Sequence, residues 1–194
     1  MNATTYPALA QVFWRPITLK RDIVVVLLGS WLIALAAQIS IPLQPVPITG
    51  QTFGVLLVGA ALGFRRGALA VILYLLQGAL GLPFFAGGAS GLARLVGPTG
   101  GYLVGFVFAA ALVGALSERG WDRRFPSTLA AMALGNLVIY LCGLPWLAQF
   151  VGWEKVASVG LLPFLFGDVL KAALAAVALP GSWMLLGRLH RDLA

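Results

Sequence analysis

Six long apolar segments, separated by loops that carry nearly all of the charge, constrain the fold of this chain most strongly. A transmembrane helix needs about 17–25 consecutive, mostly apolar residues. The chain is 60% hydrophobic and 10% charged, too few polar side chains to cover a soluble core of this size. We therefore predict an all-α integral membrane protein with six transmembrane helices, near residues 23–41, 51–64, 67–82, 101–116, 127–150 and 163–186.

The lysines and arginines fall on alternate sides of these segments. With the amino terminus inside, two cations lie outside and Lys171 lies within a span. The cytoplasmic cations are Arg15, Lys20, Arg21, Arg65, Arg66, Arg119, Arg123, Arg124, Arg188 and Arg191, and the outer ones are Arg94 and Lys155. The positive-inside rule then predicts that both termini are cytoplasmic. The net charge of +7 reflects this topology and not binding to nucleic acid. We expect a cytoplasmic segment (1–22), a transmembrane substrate-binding domain (23–188) and a cytoplasmic tail (189–194).

Two outer loops are rich in proline, glycine and hydroxyl or amide side chains instead of charge. They read "SIPLQPVPITGQT" and "GLPFFAGGASGLARLVGPTGGY". Non-helical backbone at membrane depth is tolerated where it is buried in protein or lines a cavity. The loops are either tight interfacial turns or covers that fold over a site, and their length and glycine content favour covers.

The sixth apolar segment contains an acid and a base, Asp168 and Lys171, in "LLPFLFGDVLKAALAAVALPG". If a helix begins near Pro163, Lys171 lies about 12 Å along it at ~1.5 Å per residue. An isolated charge there costs at least about 2.5–3.5 kcal/mol, so Lys171 needs Asp168, a lipid phosphate or a ligand as its anion. Either the two form an internal pair that stabilises packing, or they face a polar site open to the outside. Pro180 should kink or break this helix.

Other polar residues fall at compatible depths, and each has a structural interpretation as well as a functional one. Asn136 lies near the middle of the fifth segment, where an interhelical hydrogen bond is the alternative to ligand binding. Arg94 lies in the glycine-rich loop, where it could instead extend to the membrane surface. Thr49 and Gln51 end the first outer loop, and Tyr102 opens the fourth segment.

The same inventory argues against an enzyme, a metal site or a cofactor. The chain has one histidine, His190 near its end, and one cysteine, Cys142. Asp168 is the sole acid in any predicted span, so neither a Ser/His/Asp triad nor a cluster of metal ligands can form there. No selectivity-filter motif of an ion channel stands out.

The first segment carries a stripe of small residues, Gly29, Ser30, Ala34 and Ala37. Ser30 and Ala34 form a small-xxx-small pair, which lets a second helix pack closely. That helix could belong to a partner protein or to this same bundle, and the pattern alone fits both.

Several of these motifs occur together and in order, and through them the chain closely resembles the BioY family. They are the run from "PLQPVPITGQT" to "GPTGGYLVGF", followed by "FGDVLK", and the similarity spans about residues 27–186. The resemblance implies the biotin-binding S component of an energy-coupling factor (ECF) transporter in a prokaryotic cell membrane. Such a component docks on a transmembrane T component and two cytoplasmic ATPases. This chain has no phosphate-binding "GxxxxGK[ST]" loop of its own.

The resemblance also implies roles for the polar residues. Asp168 would accept the ureido N–H groups of biotin. Lys171 would be the cation for its carboxylate or a partner in the polar network, and Arg94 would be a second cation for the carboxylate. The remaining residues of the implied site are Gly101, Tyr102, Asn136, Thr49 and Gln51, the last pair in the covering loop. The small-residue stripe would meet the T component. Two alternatives stay open: an S component for another vitamin, and a membrane scaffold or channel in which Asp168 and Lys171 are a structural pair.

Overall fold

The six predicted segments each correspond to a helix in the computed structural model, which describes residues 7–13 and 18–192. The helices are α1 (Leu9–Phe13), α2 (Leu19–Gln38), α3 (Gln51–Leu62), α4 (Phe64–Ala79), α5 (Ala93–Val96), α6 (Gly100–Ser117), α7 (Phe125–Val151), α8 (Trp153–Gly160) and α9 (Leu162–Asp192). Six of them, α2, α3, α4, α6, α7 and α9, form one bundle. Three segments of the described chain are long and apolar enough to cross a membrane, namely Gly100–Ser117, Phe125–Val151 and Trp153–Leu186.

Helix α3 lies at the centre of the bundle and packs against α2, α4, α6 and α9. Gly59 permits this packing, because a Cβ atom there would lie 2.7 Å from the carbonyl oxygen of Ala110 on α6. Gly63 alone joins α3 to α4, with a φ of 84° that L side chains rarely adopt. The short α3 is thus held by close backbone contact on several sides.

Large apolar side chains cover the outside of the bundle. Leu35, Leu141 and Val169 are each more than half exposed, at 68%, 64% and 67%. Contiguous apolar surface of this kind is rare in soluble monomers and suits contact with lipid.

The two loops at the upper end of the bundle, residues 39–50 and 80–99, are ordered. The first forms a two-stranded antiparallel sheet of β1 (Ser40–Ile41) and β2 (Ile48–Thr49), which the sequence analysis did not predict. The second contains a β-bridge between Phe85 and Ala89. We call residues 40–49 the first cover and residues 83–89 the second cover.

Gln38, the last residue of α2, holds the second cover in place. Its Nε2 lies 3.3 and 3.4 Å from the carbonyl oxygens of Pro83 and Phe84, and its Oε1 accepts from the Gly88 amide at 3.0 Å. The ring of Phe85 is buried at the edge of the Tyr74 ring, with 5.7 Å between centroids. The second cover is therefore fixed to both α2 and α4.

The small-residue stripe of α2 faces the inside of the bundle, so the prediction that it forms a partner surface is wrong. Gly29, Ser30, Ala34 and Ala37 are all buried. A Cβ atom on Gly29 would lie 2.9 Å from a methyl of Leu62, and the Ser30 hydroxyl is 3.0 Å from Oε1 of Gln77. The stripe serves the close packing of α2 on α3 and α4, the alternative that the pattern also allowed.

The helices differ from the predicted segments by a few residues at most ends, and two of the differences, in α2 and α9, concern earlier predictions. Helix α2 begins at Leu19, so the predicted domain boundary at residues 22–23 falls inside it. Pro180 does not break α9, which continues to Asp192; apolar helices tolerate an internal proline where the freed backbone groups find other partners. Arg15 and the end of the predicted tail, residues 193–194, lie outside the described residues.

Candidate functional site

A cavity lies beneath the two covers, among the upper parts of α3, α6, α7 and α9. Most of its wall is apolar, with a few polar groups on one side. The lining residues are Val46, Pro47, Thr49, Gln51, Thr52, Phe85, Ala86, Ala89, Arg94, Thr99, Tyr102, Leu103, Phe106, Ile139, Tyr140, Phe164, Asp168 and Lys171.

The Asp168 carboxylate is the centre of the polar wall. It is buried, with a 6% exposed fraction. The Tyr140 hydroxyl donates to its Oδ2, while Lys171 Nζ and Thr52 Oγ1 lie 3.3 and 3.5 Å from its Oδ1. Lys171 Nζ also donates to Thr52 Oγ1 at 2.9 Å. Three helices thus supply partners for one acid, as a buried charge requires.

Local sequence explains how these groups meet. The three-residue spacing of Asp168 and Lys171 places both on one side of α9. Thr52 is the second residue of α3, where the first cover joins the bundle. Tyr140 lies on the face of α7 that packs against α9.

A second polar group connects the first cover to the core. The Thr49 hydroxyl donates to Gln51 Oε1 at 3.0 Å and accepts from the Gln51 amide at 3.1 Å. Gln51 Nε2 donates in turn to the hydroxyl of Tyr74, which is fully buried in α4. Gln51 belongs to the first turn of α3, whereas Thr49 belongs to the cover.

Helices α5 and α6 add a cation, Arg94, and an aromatic ring, Tyr102, to the cavity. Arg94 is exposed, and its guanidinium makes no ion pair with the described residues. The Tyr102 hydroxyl donates to the Gly160 carbonyl at 2.8 Å, which ties α6 to α8, and its ring meets the edge of Tyr140. Arg94 is therefore available to an anion that enters from above.

The structure brings six of the predicted ligand residues to this cavity: Thr49, Gln51, Arg94, Tyr102, Asp168 and Lys171. Gly101 and Asn136 do not line it. A Cβ atom on Gly101 would lie 2.3 Å from Cβ of Trp146, so this glycine serves the contact of α6 with α7. Asn136 lies deeper, where it lines an open crevice between α7 and α9 and a narrow gap beside Lys171.

Sequence reasoning missed Thr52 and Tyr140, although both touch Asp168. The sequence contained an indication of each residue's position. Thr52 follows Gln51 directly, and Tyr140 lies four residues after Asn136, hence on the same face of a helix. In residues 7–13 and 18–192 no group of three or more His, Cys, Asp or Glu side chains could hold a metal ion.

The cavity can hold a small, partly apolar molecule with polar ends. Its hydrocarbon surface comes from Leu103, Phe106, Ile139 and Phe164. Asp168 can accept hydrogen bonds from a bound molecule, and the cations Arg94 and Lys171 can attract an anionic group.

Comparison with known proteins identifies the family. The family model described as "BioY family" matches residues 7–188, nearly the whole chain. The chain belongs to the BioY family. A probable biotin transporter BioY of Pyrococcus horikoshii is 43% identical over 157 residues, covering 81% of this chain and 93% of that protein. A biotin transporter BioY of Thermotoga maritima is 45% identical over 147 residues, covering 75% and 86%.

A solved crystal structure has a similar fold. The crystal structure of the S component for biotin from an ECF-type ABC transporter superposes with a TM-score of 0.71 at 25% sequence identity. The superposition covers 90% of this chain and 95% of that one. The S-component-like bundle implied by the sequence is thus confirmed at the level of the fold.

Proposed function

We propose that the cavity captures biotin and that the chain is the substrate-binding S component of an ECF transporter. The observation that carries this proposal is the Asp168 carboxylate, held by three helices at the wall of an otherwise apolar cavity. Family membership supports it, since the relatives are named as biotin transporters and not as enzymes. The enclosed cavity argues against a scaffold with a purely structural pair.

The polar groups match the two ends of biotin. Asp168 Oδ1 would accept the ureido N–H groups, because its contacts with Lys171 at 3.3 Å and Thr52 at 3.5 Å are long, whereas Oδ2 accepts a close hydrogen bond from Tyr140. Arg94 would pair with the carboxylate, because it makes no ion pair with described residues whereas Lys171 is bound to Asp168. The apolar walls would enclose the ring and the alkyl chain, with Gln51, Thr49 and Tyr102 around them.

The topology of the chain forms part of the proposal. Six helices would cross the membrane, with both termini cytoplasmic and the two covers outside, in the cell membrane of a prokaryote. The distribution of lysine and arginine between the two ends of the bundle supports this orientation. Transport would need a T component and two cytoplasmic ATPases, since the sequence has no phosphate-binding loop.

Calorimetry of the detergent-solubilised protein tests the biotin assignment. We expect one-to-one binding by the unaltered protein, weakened at least about tenfold by Asp168→Asn and by Lys171→Met, because the first removes the charge of the acceptor and the second removes the cation that balances it inside the protein. Lys155→Met removes an exposed lysine of α8 that does not line the cavity, and should leave binding unchanged. If the unaltered protein, freed of any carried-over ligand, ignores biotin, the assignment is wrong.

A further inference from the structure

A buried polar atom without a partner lies close to the Asp168–Lys171 pair. The Oδ1 atom of Asn136 is buried and accepts no hydrogen bond from the residues that the structure describes. An unpaired buried acceptor costs about 1–3 kcal/mol, and native proteins leave few of them. A donor that reaches this atom in another state of the protein would remove that cost.

Asn136 and Lys171 line the same narrow gap between α3, α7 and α9, which leaves no room for a water molecule. Its other lining residues are Thr52, Phe53, Leu56, Met132 and Ala172. Among the side chains of this gap only those of Thr52, Asn136 and Lys171 carry nitrogen or oxygen atoms, and the Lys171 ammonium has three N–H donors. It uses two of them, on Thr52 and Asp168.

The register of α7 and α9 places the two residues at the same depth. Tyr140 meets Asp168 near the upper end, and the loop before α7 meets α9 through Asp122 and Trp183, so the helices run antiparallel. Asn136 lies one turn below Tyr140 on α7. Lys171 and Ala172 lie one turn below Asp168 on α9. The Lys171 side chain extends upward from this depth to Asp168.

We propose that Asn136 is a positioning residue whose Oδ1 accepts the Lys171 ammonium when ligand N–H groups occupy Asp168. The inference rests on the proposed function, in which ligand donors bind Asp168 Oδ1. That oxygen is now contacted by Lys171 at 3.3 Å and Thr52 at 3.5 Å. Ligand donors displace the lysine from it, and the displaced ammonium keeps Thr52 and gains Asn136. One lysine thus alternates between two acceptors as the cavity empties and fills.

A double-mutant cycle on biotin binding tests this exchange. Asn136→Leu should weaken binding about 10- to 100-fold in the unaltered background, because the displaced ammonium loses a hydrogen bond. In the Lys171→Met background the same change should have no further effect. Asn136→Asp keeps an acceptor and should bind biotin at least as tightly as the unaltered protein. Without ligand, the effects of Asn136→Leu and Lys171→Met on the melting temperature should add, since the two side chains do not then interact.

The outcomes separate this inference from the proposed function. If Asn136→Leu weakens binding equally with and without Lys171, Asn136 acts through helix packing and the inference is wrong. If Asn136→Asp loses binding as Asn136→Leu does, it is also wrong. An unaltered protein that does not bind biotin overturns the proposed function and, with it, the inference. If the Asn136→Leu variant does not fold, the same double-mutant cycle can be measured with Asn136→Ala.

Discussion

At the scale of single residues, the hydroxyl of Thr52 connects the two charges of the cavity. It accepts from Lys171 at 2.9 Å and lies 3.5 Å from Asp168 Oδ1. An ammonium and a carboxylate 3.3 Å apart inside a protein need further hydrogen bonds to repay their lost hydration. Thr52 therefore supports the pair even when no ligand is bound.

Thr52→Val should lower the stability of the ligand-free protein by about 1–3 kcal/mol, because it leaves the Lys171 ammonium with one acceptor fewer. Thermal unfolding in detergent measures the change. Thr52→Ser restores the hydroxyl and should recover most of the stability. Ser158→Ala, which removes an exposed hydroxyl of α8, serves as the control. Equal melting temperatures for Thr52→Val and the unaltered protein would contradict the role of this hydroxyl.

Asp122, in the loop between α6 and α7, is a second buried acid. Burial raises the pKa of Asp122 above its ordinary value of 3.8, and hydrogen bonds from Trp183 and Ser117 and the charge of Arg123 only partly oppose the rise. Its Oδ2 accepts from Trp183 Nε1 of α9 at 2.6 Å. Because the pKa is higher in the folded chain than in the unfolded one, this group favours folding most below the ordinary value. That contribution is lost as the pH rises through the folded value.

Asp122→Asn should therefore reduce the fall in melting temperature between about pH 4 and neutral pH, because the amide keeps the acceptor for Trp183 but carries no charge. Melting temperatures across this range, for the variant beside the unaltered protein, measure the effect. The two curves should converge at low pH and separate as the pH rises. Parallel curves for the two proteins would contradict the role of Asp122 in this pH dependence.

At the scale of elements, the second cover depends on one side chain at the end of α2. Gln38→Leu removes the bonds to the cover backbone, so hydrogen exchange in the peptide that contains residues 84–89 should become several-fold faster. Gln149→Leu makes the same change at an exposed position near the end of α7 and should leave that peptide unchanged. Unaltered exchange in Gln38→Leu would mean that Phe85 alone fixes the cover.

The helices could be predicted because each is an apolar run that ends at charge, glycine or proline. Asp168 and Lys171 could be placed in one site because a helix fixes their spacing. The contacts of Asp168 with Thr52 and Tyr140 join residues 116 and 28 positions apart, and no local pattern encodes such separations along the chain.

The prediction that the small-residue stripe of α2 meets a partner protein was wrong for a related reason. Small residues allow close packing on any neighbour, and only the fold decides which one. The strands of the first cover have two residues each, too few for alternation to appear.

At the scale of the whole molecule, the orientation in the membrane can be tested with the chain's single cysteine removed. In a Cys142→Ala background, Lys155→Cys lies on α8 and Arg119→Cys lies at the opposite end of the bundle. A membrane-impermeant maleimide added to intact cells should label the first and not the second, while both should react after lysis. Labelling of Arg119→Cys in intact cells would contradict cytoplasmic termini.

Both covers attach to neighbouring residues at the upper end of α2. The amide of Gly50, where the first cover ends, donates to the Ile39 carbonyl at 2.8 Å, and the second cover is bound by Gln38. A displacement of this one helix end moves the two covers together. An occluded ligand would then escape in a single kinetic phase, and its dwell time would be set by one opening event instead of two independent ones.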